Sequence, residues 1–262
     1  MVTFETKVWE KDWKYILTGD YLDKVIERCH YPFKEKTLII NNVSDKRKVG
    51  KLAEEKVRKG VLDSYYFADE YADKALASFN IDLDSFKGGY NYSIAELVSI
   101  YLCKTEYLLH FSSDALLPND SIDWIDDAIK VLETRKDIIV ANPTWNYAFD
   151  QAKNESIDET DQFYIGYGFS DQCFLVKTDV FKQDVYNEKC KASERYPDYG
   201  GELFEKRVDS FMRNRHLLRI TSKNKSYIHK NFPKKNLLNK LDILARCYTQ
   251  YRLFHYKESH YR

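Results

Sequence analysis

The chain carries no net charge: its 262 residues hold 41 Lys and Arg against 41 Asp and Glu. A global basic field is therefore excluded, and with it a nucleic-acid partner. Any polyanion must be met locally. Cysteine is scarce and scattered. Cys29, Cys103, Cys173, Cys190 and Cys247 are odd in number and form no C-x-x-C pair, which argues against a disulfide framework or a structural zinc site. No stretch approaches the roughly 20 apolar residues of a membrane span. The opening MVTFETKVWEKDWKYIL interrupts every apolar run with charge and so lacks the h-region of a signal peptide. The expected location is a reducing cytoplasm, in solution or peripherally at a membrane face. Internal repeats are missing, as are G-x-x-x-x-G-K-[ST], G-x-S-x-G and H-E-x-x-H, which removes P-loop, nucleophile-elbow and zincin chemistry.

What is present is length for one α/β domain with a small appendage, and 21 Tyr with 15 Phe. Aromatic rings suit carbohydrate clefts, although such a composition equally reflects genome bias. Val2 to Val8 alternates and predicts a strand, and Trp9 to Cys29 a helical hairpin or a helix with irregular ends. Thr37 to Asn42 reads as the first wholly buried strand, ending in Asn41, Asn42 and Asp45. A helix over about 46–59 stops at Gly60. Ser64 to Ala68 is a second strand, ending in Asp69-Glu70, and strand, helix and strand fit a parallel pair with a right-handed crossover.

The chain is organised around Ser93 to Pro118, SIAELVSIYLCKTEYLLHFSSDALLP. Ser93 with Glu96 reads as a capping box, and Ile94, Leu97, Val98 and Tyr101 recur at helical spacing. Tyr107-Leu108-Leu109-His110-Phe111 is a short run without alternation, as in a strand covered on both faces. Ser112-Ser113-Asp114 follows at its carboxyl end, where open α/β sheets hold their ligands. Further on come a helix over Ser121 to Glu133, a strand over Ile138 to Ala141 closed by Asn142-Pro143, and a polar surface loop over 150–162. The turn Gly166 to Gln172 leads into a strand, Cys173 to Val176. A helix follows Tyr199-Gly200-Gly201, with Phe204, Val208, Phe211 and Met212 inward and Glu202 at its start. Strands over Leu217 to Thr221 and Ser226 to His229 come last.

A helix feeding a buried strand that ends in an acidic triplet resembles the D-x-D region of GT-A nucleotide-sugar glycosyltransferases, in particular family 2-like members. Ser112 stands where the first acid of the triplet would be. The resemblance covers about residues 1–232 and implies a GT-A, Rossmann-like fold: a mixed, mainly parallel sheet flanked by helices. It implies transfer of a sugar from a nucleoside diphosphate sugar, UDP-sugar favoured, to a glycan or lipid-linked or other hydroxyl acceptor. Transfer would be inverting, depend on Mn2+ or Mg2+, and serve surface polysaccharide or glycan synthesis. Residues 37–42 would be the opening strand of the nucleotide-binding half. Asn41, Asn42, Ser112, Ser113 and Asp114 would line the nucleotide-sugar site. Asp69 would read the uracil ring, while its bland reading is a helix cap. Asp171 and Gln172 would border sugar and acceptor, or form only a polar turn tip. Asp114 and His229 would hold the metal, and Glu202, with Glu205 one turn on as its rival, would be the catalytic base.

From Lys234 the chain changes character. Leu237, Leu241, Leu244, Tyr248 and Tyr251 follow a 4-3-4-3 spacing among seven Lys and Arg and two acids. This predicts an amphipathic helical tail, 233–262, that packs on its own domain, forms a dimer seam or rests on an anionic membrane. Two other functions stay open. A sugar nucleotidyltransferase shares the early α/β half but wants a glycine- and basic-rich phosphate loop after strand one, which Asn41 to Asp45 does not supply. A non-catalytic glycan-binding or scaffold protein of the same fold is the other, because of Ser112.

Overall fold

A computed structural model describes residues 1–119, 121, 123–197 and 200–229; the tail and the turn residues Asp198 and Tyr199 lie outside them. The first half alternates strand and helix: β1 (Val2–Val8), α1 (Trp13–Leu17), α2 (Tyr21–Glu27), β2 (Glu35–Ile40), α3 (Lys46–Arg58), β3 (Ser64–Phe67), α4 (Ala68–Ser78), α5 (Ile94–Leu102) and β4 (Tyr107–Phe111). Then come β5 (Ala115–Leu116), α6 (Ile125–Thr134), β6 (Ile138–Trp145), α7 (Phe149–Asn154), β7 (Ser156–Glu159), β8 (Phe163–Gly166), β9 (Cys173–Lys177), α8 (Thr178–Phe181), α9 (Phe204–Asn214) and β10 (Leu218–His229).

The strands form one sheet in the order β3-β2-β1-β4-β9-β6-β10-β8-β7, with β5 added beside β10. β3, β2, β1 and β4 are parallel, β9 runs antiparallel between β4 and β6, and β10 is parallel to β6 but antiparallel to β8. Helices cover both faces. Trp13, Leu22, Val49, Ala53, Ile125 and Leu132 share one core with Tyr107, Leu109 and Phe111, while Ala72, Leu97, Val98, Phe181, Phe204 and Val208 share the other with Leu108. Both faces of β4 are therefore dry, which is why Tyr107 to Phe111 shows no alternation.

Several expectations change. The first strand of the sheet in chain order is Val2–Val8, ahead of 37–42: β1 lies between β2 and β4, and its polar alternates Thr3, Glu5 and Lys7 go into buried pairings rather than solvent. Ser93 makes no capping box. It offers α5 no side-chain bond; its Oγ accepts the N–H of Phe204 instead, at 3.0 Å, and Glu96 pairs with Lys7. The polar stretch 150–162 is no loop, since α7 and β7 supply a helix and the sheet's edge strand; an exposed edge reads as polar. Asn142-Pro143 does not close β6, which continues to Trp145. The two final strands are one, β10, broken by a register shift between Thr221 and Ser226. α6 begins at Ile125, later than expected.

Candidate active site

Topology brings five segments to one place at the carboxyl ends of β1 and β4. Register Thr6 to Phe111 aligns these ends, so the turn Trp9 to Asp12 meets the turn Ser112 to Asp114. Ser113 donates its hydroxyl to Asp12 Oδ2 at 2.5 Å, and the Trp9 N–H binds Asp12 Oδ1 at 2.8 Å. Since β9 runs antiparallel to β4, with Cys173 opposite Phe111, residues 171–172 arrive at the same end. The Ser112 N–H binds the Gln172 carbonyl at 2.8 Å. β10 ends here too, because His229 pairs with Ala115.

Asp114 and His229 meet as the resemblance implied: His229 Nε2 lies 3.1 Å from Asp114 Oδ1, and the Ser112 hydroxyl binds the same oxygen at 2.9 Å. One carboxylate and one imidazole are a donor set that suits manganese or magnesium when phosphate oxygens and water complete the shell. Among the described residues no group of three His, Cys, Asp or Glu is spaced to hold a metal unaided. Asp12, which sequence reasoning passed over, is a third acid nearby. It is 4% exposed; burial, with a smaller contribution from the Asp114 charge, pushes its carboxyl up to about 7. The signal was available only to a reading that made Val2–Val8 the opening strand, because Asp12 then follows the strand end.

The fifth segment is the start of α9. Its placement depends on close backbone approach: a Cβ on Gly201, where φ is +61°, would lie 2.4 Å from the Ser85 carbonyl oxygen, and the Glu202 N–H binds that same carbonyl at 2.9 Å. With Ser93 capping Phe204, these contacts aim the first turn of α9 at the 169–172 turn. Glu205, in that first turn, accepts the Asp171 N–H at 2.9 Å. Burial and the Asp171 charge hold its carboxyl well above the ordinary glutamate range, overriding the helix N-terminus, which would favour the anion. Glu202 lies two residues before α9. It binds Lys206 at 3.2 Å, and the structure does not bring it to Asp171.

Beneath the site runs a buried chain of charge. Lys7 on β1 pairs with Glu96 on α5, and His110 Nδ1 on β4 lies 2.5 Å from Glu5 Oε2. Burial alone would lower the Lys7 ammonium, but Glu96, and more weakly Asp171, hold it above its usual value. Burial raises the Glu96 carboxyl, partly offset by Lys7. Above the site, the Tyr227 hydroxyl donates to Gln172 Oε1 at 3.0 Å.

Two predicted groups stand apart. Asp69, in the first turn of α4, follows edge strand β3, three strand spacings or about 14 Å from β4. It pairs with Lys46 at the surface. Asn41 is buried and donates its amide to the Asn91 carbonyl at 2.8 Å, while Asn42 is exposed.

No family model matches the chain, and no curated protein matches it. Solved structures do. The chain is similar to GalNAc-T7, whose structure contains UDP, GalNAc and Mn2+, with 13% identity and a TM-score of 0.52 over 87% of this chain and 43% of that one. It is also similar to glucosyl-3-phosphoglycerate synthase from Mycobacterium tuberculosis, in complex with Mn2+, UDP and glucosyl-3-phosphoglycerate, with 12% identity and a TM-score of 0.47 over 98% and 79%. The sheet order together with the first likeness gives the chain the GT-A fold.

Proposed function

We propose that this protein is a glycosyltransferase that takes a sugar from a nucleoside diphosphate sugar, UDP-sugar favoured, and places it on an acceptor hydroxyl with inversion. The observation that supports it best is the convergence of the Asp114–His229 pair and the Asp171–Glu205 pair at the ends of β4 and β10. UDP and Mn2+ in the GalNAc-T7 structure agree with this choice of donor and cation. On this reading Asp114 and His229 would hold a divalent ion, Mn2+ or Mg2+, whose positive charge would offset the charge of a departing diphosphate. Ser112, Ser113 and Gln172 fix the turn around it, while Asn41, Asn42 and Asp69 stand further out, after β2 and β3. Asp69 reads uracil only if the donor reaches the outer edge of the sheet.

Glu205 is the base in this proposal, in place of Glu202. It takes the proton from the acceptor hydroxyl as that oxygen bonds to the anomeric carbon, and the bond from that carbon to the diphosphate oxygen breaks with its electron pair leaving on the nucleotide. A carboxyl held high by its surroundings is a better base near neutrality than an ordinary one. Glu202, ion-paired with Lys206, positions the entry to α9.

The test is turnover with a panel of nucleotide sugars. Sugar-dependent release of nucleoside diphosphate supports transfer, release of pyrophosphate supports nucleotidyl transfer, and binding without release supports a glycan-binding protein. The true loop after strand one, Trp9 to Asp12, contains no glycine, so pyrophosphate is not the expected product. Asp114→Asn should weaken manganese-dependent UDP binding at least about tenfold, or about 1.4 kcal/mol; unchanged affinity would remove Asp114 from the metal. A role in surface polysaccharide synthesis fits such an enzyme. Among the described residues no helix is long and apolar enough to cross a membrane.

A further inference from the structure

The sheet ends asymmetrically around His229. On one side β10 runs beside β5, with Ile228 opposite Leu116 and His229 opposite Ala115. On the other it runs beside β6, but that pairing stops at Tyr227 opposite Trp145, short of the histidine. There the chain leaves the sheet through two consecutive left-handed residues, Asn146 with φ of +47° and Tyr147 with φ of +57°. Asparagine enters this region readily, whereas a bulky residue such as tyrosine seldom does. A pair of such residues persists only where the surroundings over-determine the turn.

Hydrogen bonds to β10 supply that constraint. The Asn146 N–H donates to the Tyr227 carbonyl at 2.7 Å, and the Tyr147 N–H to the Ser226 hydroxyl at 2.8 Å. Ser226 is fully buried and is itself fixed, its own N–H bound to the Ser121 hydroxyl at 2.7 Å. A further bond runs the other way: the His229 N–H donates to Asn146 Oδ1 at 2.8 Å. A side-chain carbonyl has taken the place of the backbone carbonyl that β6 no longer supplies, so the histidine is held on both sides although only β5 pairs with it. These bonds use the His229 backbone and leave its ring facing Asp114.

Resting on the reading that Asp114 and His229 hold the divalent ion, we propose that Asn146 is the positioning residue of that pair: its side-chain oxygen clamps the backbone of His229 and so fixes the imidazole opposite Asp114. The residue at 146 is then constrained twice, since it must accept positive φ and must carry an acceptor oxygen at short reach. Glycine meets the first demand alone, and aspartate meets both. When a protein contributes only one carboxylate and one imidazole to an ion, looseness in either is felt in affinity, so the groups that orient them matter nearly as much as the ligands.

The experiment titrates the full chain with Mn2+ in the presence of UDP by calorimetry, and follows the imidazole signals of isotope-labelled histidines by NMR, the His229 signal being the one absent from His229→Gln. Asn146→Gly, which keeps the turn but loses the acceptor, should unfold within a few degrees of wild type. It should weaken Mn2+ binding about tenfold and reduce the broadening of the His229 signal at saturating Mn2+. Asn146→Asp, which restores an acceptor at a residue tolerant of positive φ, should recover both. A turn with no role beyond the fold is served by glycine as well as by asparagine, so unchanged Mn2+ affinity and broadening in Asn146→Gly overturn the proposal. A loss that Asn146→Asp does not recover overturns it too. If Asp114→Asn leaves Mn2+ affinity unchanged, the ion binds elsewhere and Asn146 loses its role with it; if Asp114→Asn weakens binding and Asn146→Gly does not, the pair holds the ion without Asn146.

Discussion

Charged residues sit at the carboxyl ends of both the edge strand β3 and the central strands β1 and β4, yet the two places treat them differently. At the edge, Asp69 and Lys46 pair in water, both about half or more exposed. At the centre, Glu96 has no exposure and Lys7 little, Asp12 is nearly dry, and Glu205 is held protonated well beyond its usual range. Covering by helices on both faces and by neighbouring strands turns the same residue types from solvated decoration into groups with altered acidity. Position in the sheet, more than residue identity, decides which carboxylates can do chemistry.

The contrast can be broken most sharply at Glu205. Glu205→Gln should lower kcat by about 10²- to 10⁴-fold with UDP binding unchanged, while Glu202→Gln changes it little. In the wild type kcat/KM should rise with pH along a limb above the ordinary carboxylate range, because the base must lose its proton, and the Gln variant should lack that limb. The reverse ranking of the two variants would return the role to Glu202. Next is Lys7→Met, which strands the buried Glu96 and should cost roughly 3–5 kcal/mol in urea unfolding. The deficit should widen as pH rises, since a carboxyl with a raised folded value favours the fold only while protonated. Lys7→Met with Glu96→Leu should recover most of it. Ser93→Ala removes the cap on α9 and should cost about 1 kcal/mol, with kcat falling alongside stability because Glu205 is aimed by that turn. At the edge, Asp69→Asn should change stability by under about 0.5 kcal/mol. A measurable loss of UDP affinity in that variant would show that the donor reaches β3.

The same contrast governs how much could be read in advance. Buried central features were legible where burial leaves a pattern: Tyr107 to Phe111 as a strand, Ser112 to Asp114 as the turn at its carboxyl end, and His229 as a neighbour of Asp114. The alternation of Val2–Val8 predicted β1 as a strand but not that both its faces are covered, because Thr3, Glu5 and Lys7 are satisfied by residues far along the chain, Thr105, His110 and Glu96, and spacing within a strand carries no trace of such partners. Asp12, after that strand, was passed over. Ser93 shows the same limit: Ser and Glu three apart fit a local cap, but their oxygens go to Phe204 and Lys7.

The insertion of β9 also sets an order of events. Residues 107–111 and 138–145 emerge first, but the strand that joins them is 173–177. Until it arrives, the inner edges of β4 and β6, both strongly apolar, have no ladder partner, and an unpaired apolar edge invites pairing with other chains. Translation that pauses between residues 145 and 173 would hold the nascent chain in its most aggregation-prone state, and a fragment ending there should be recovered insoluble where the longer chain is not.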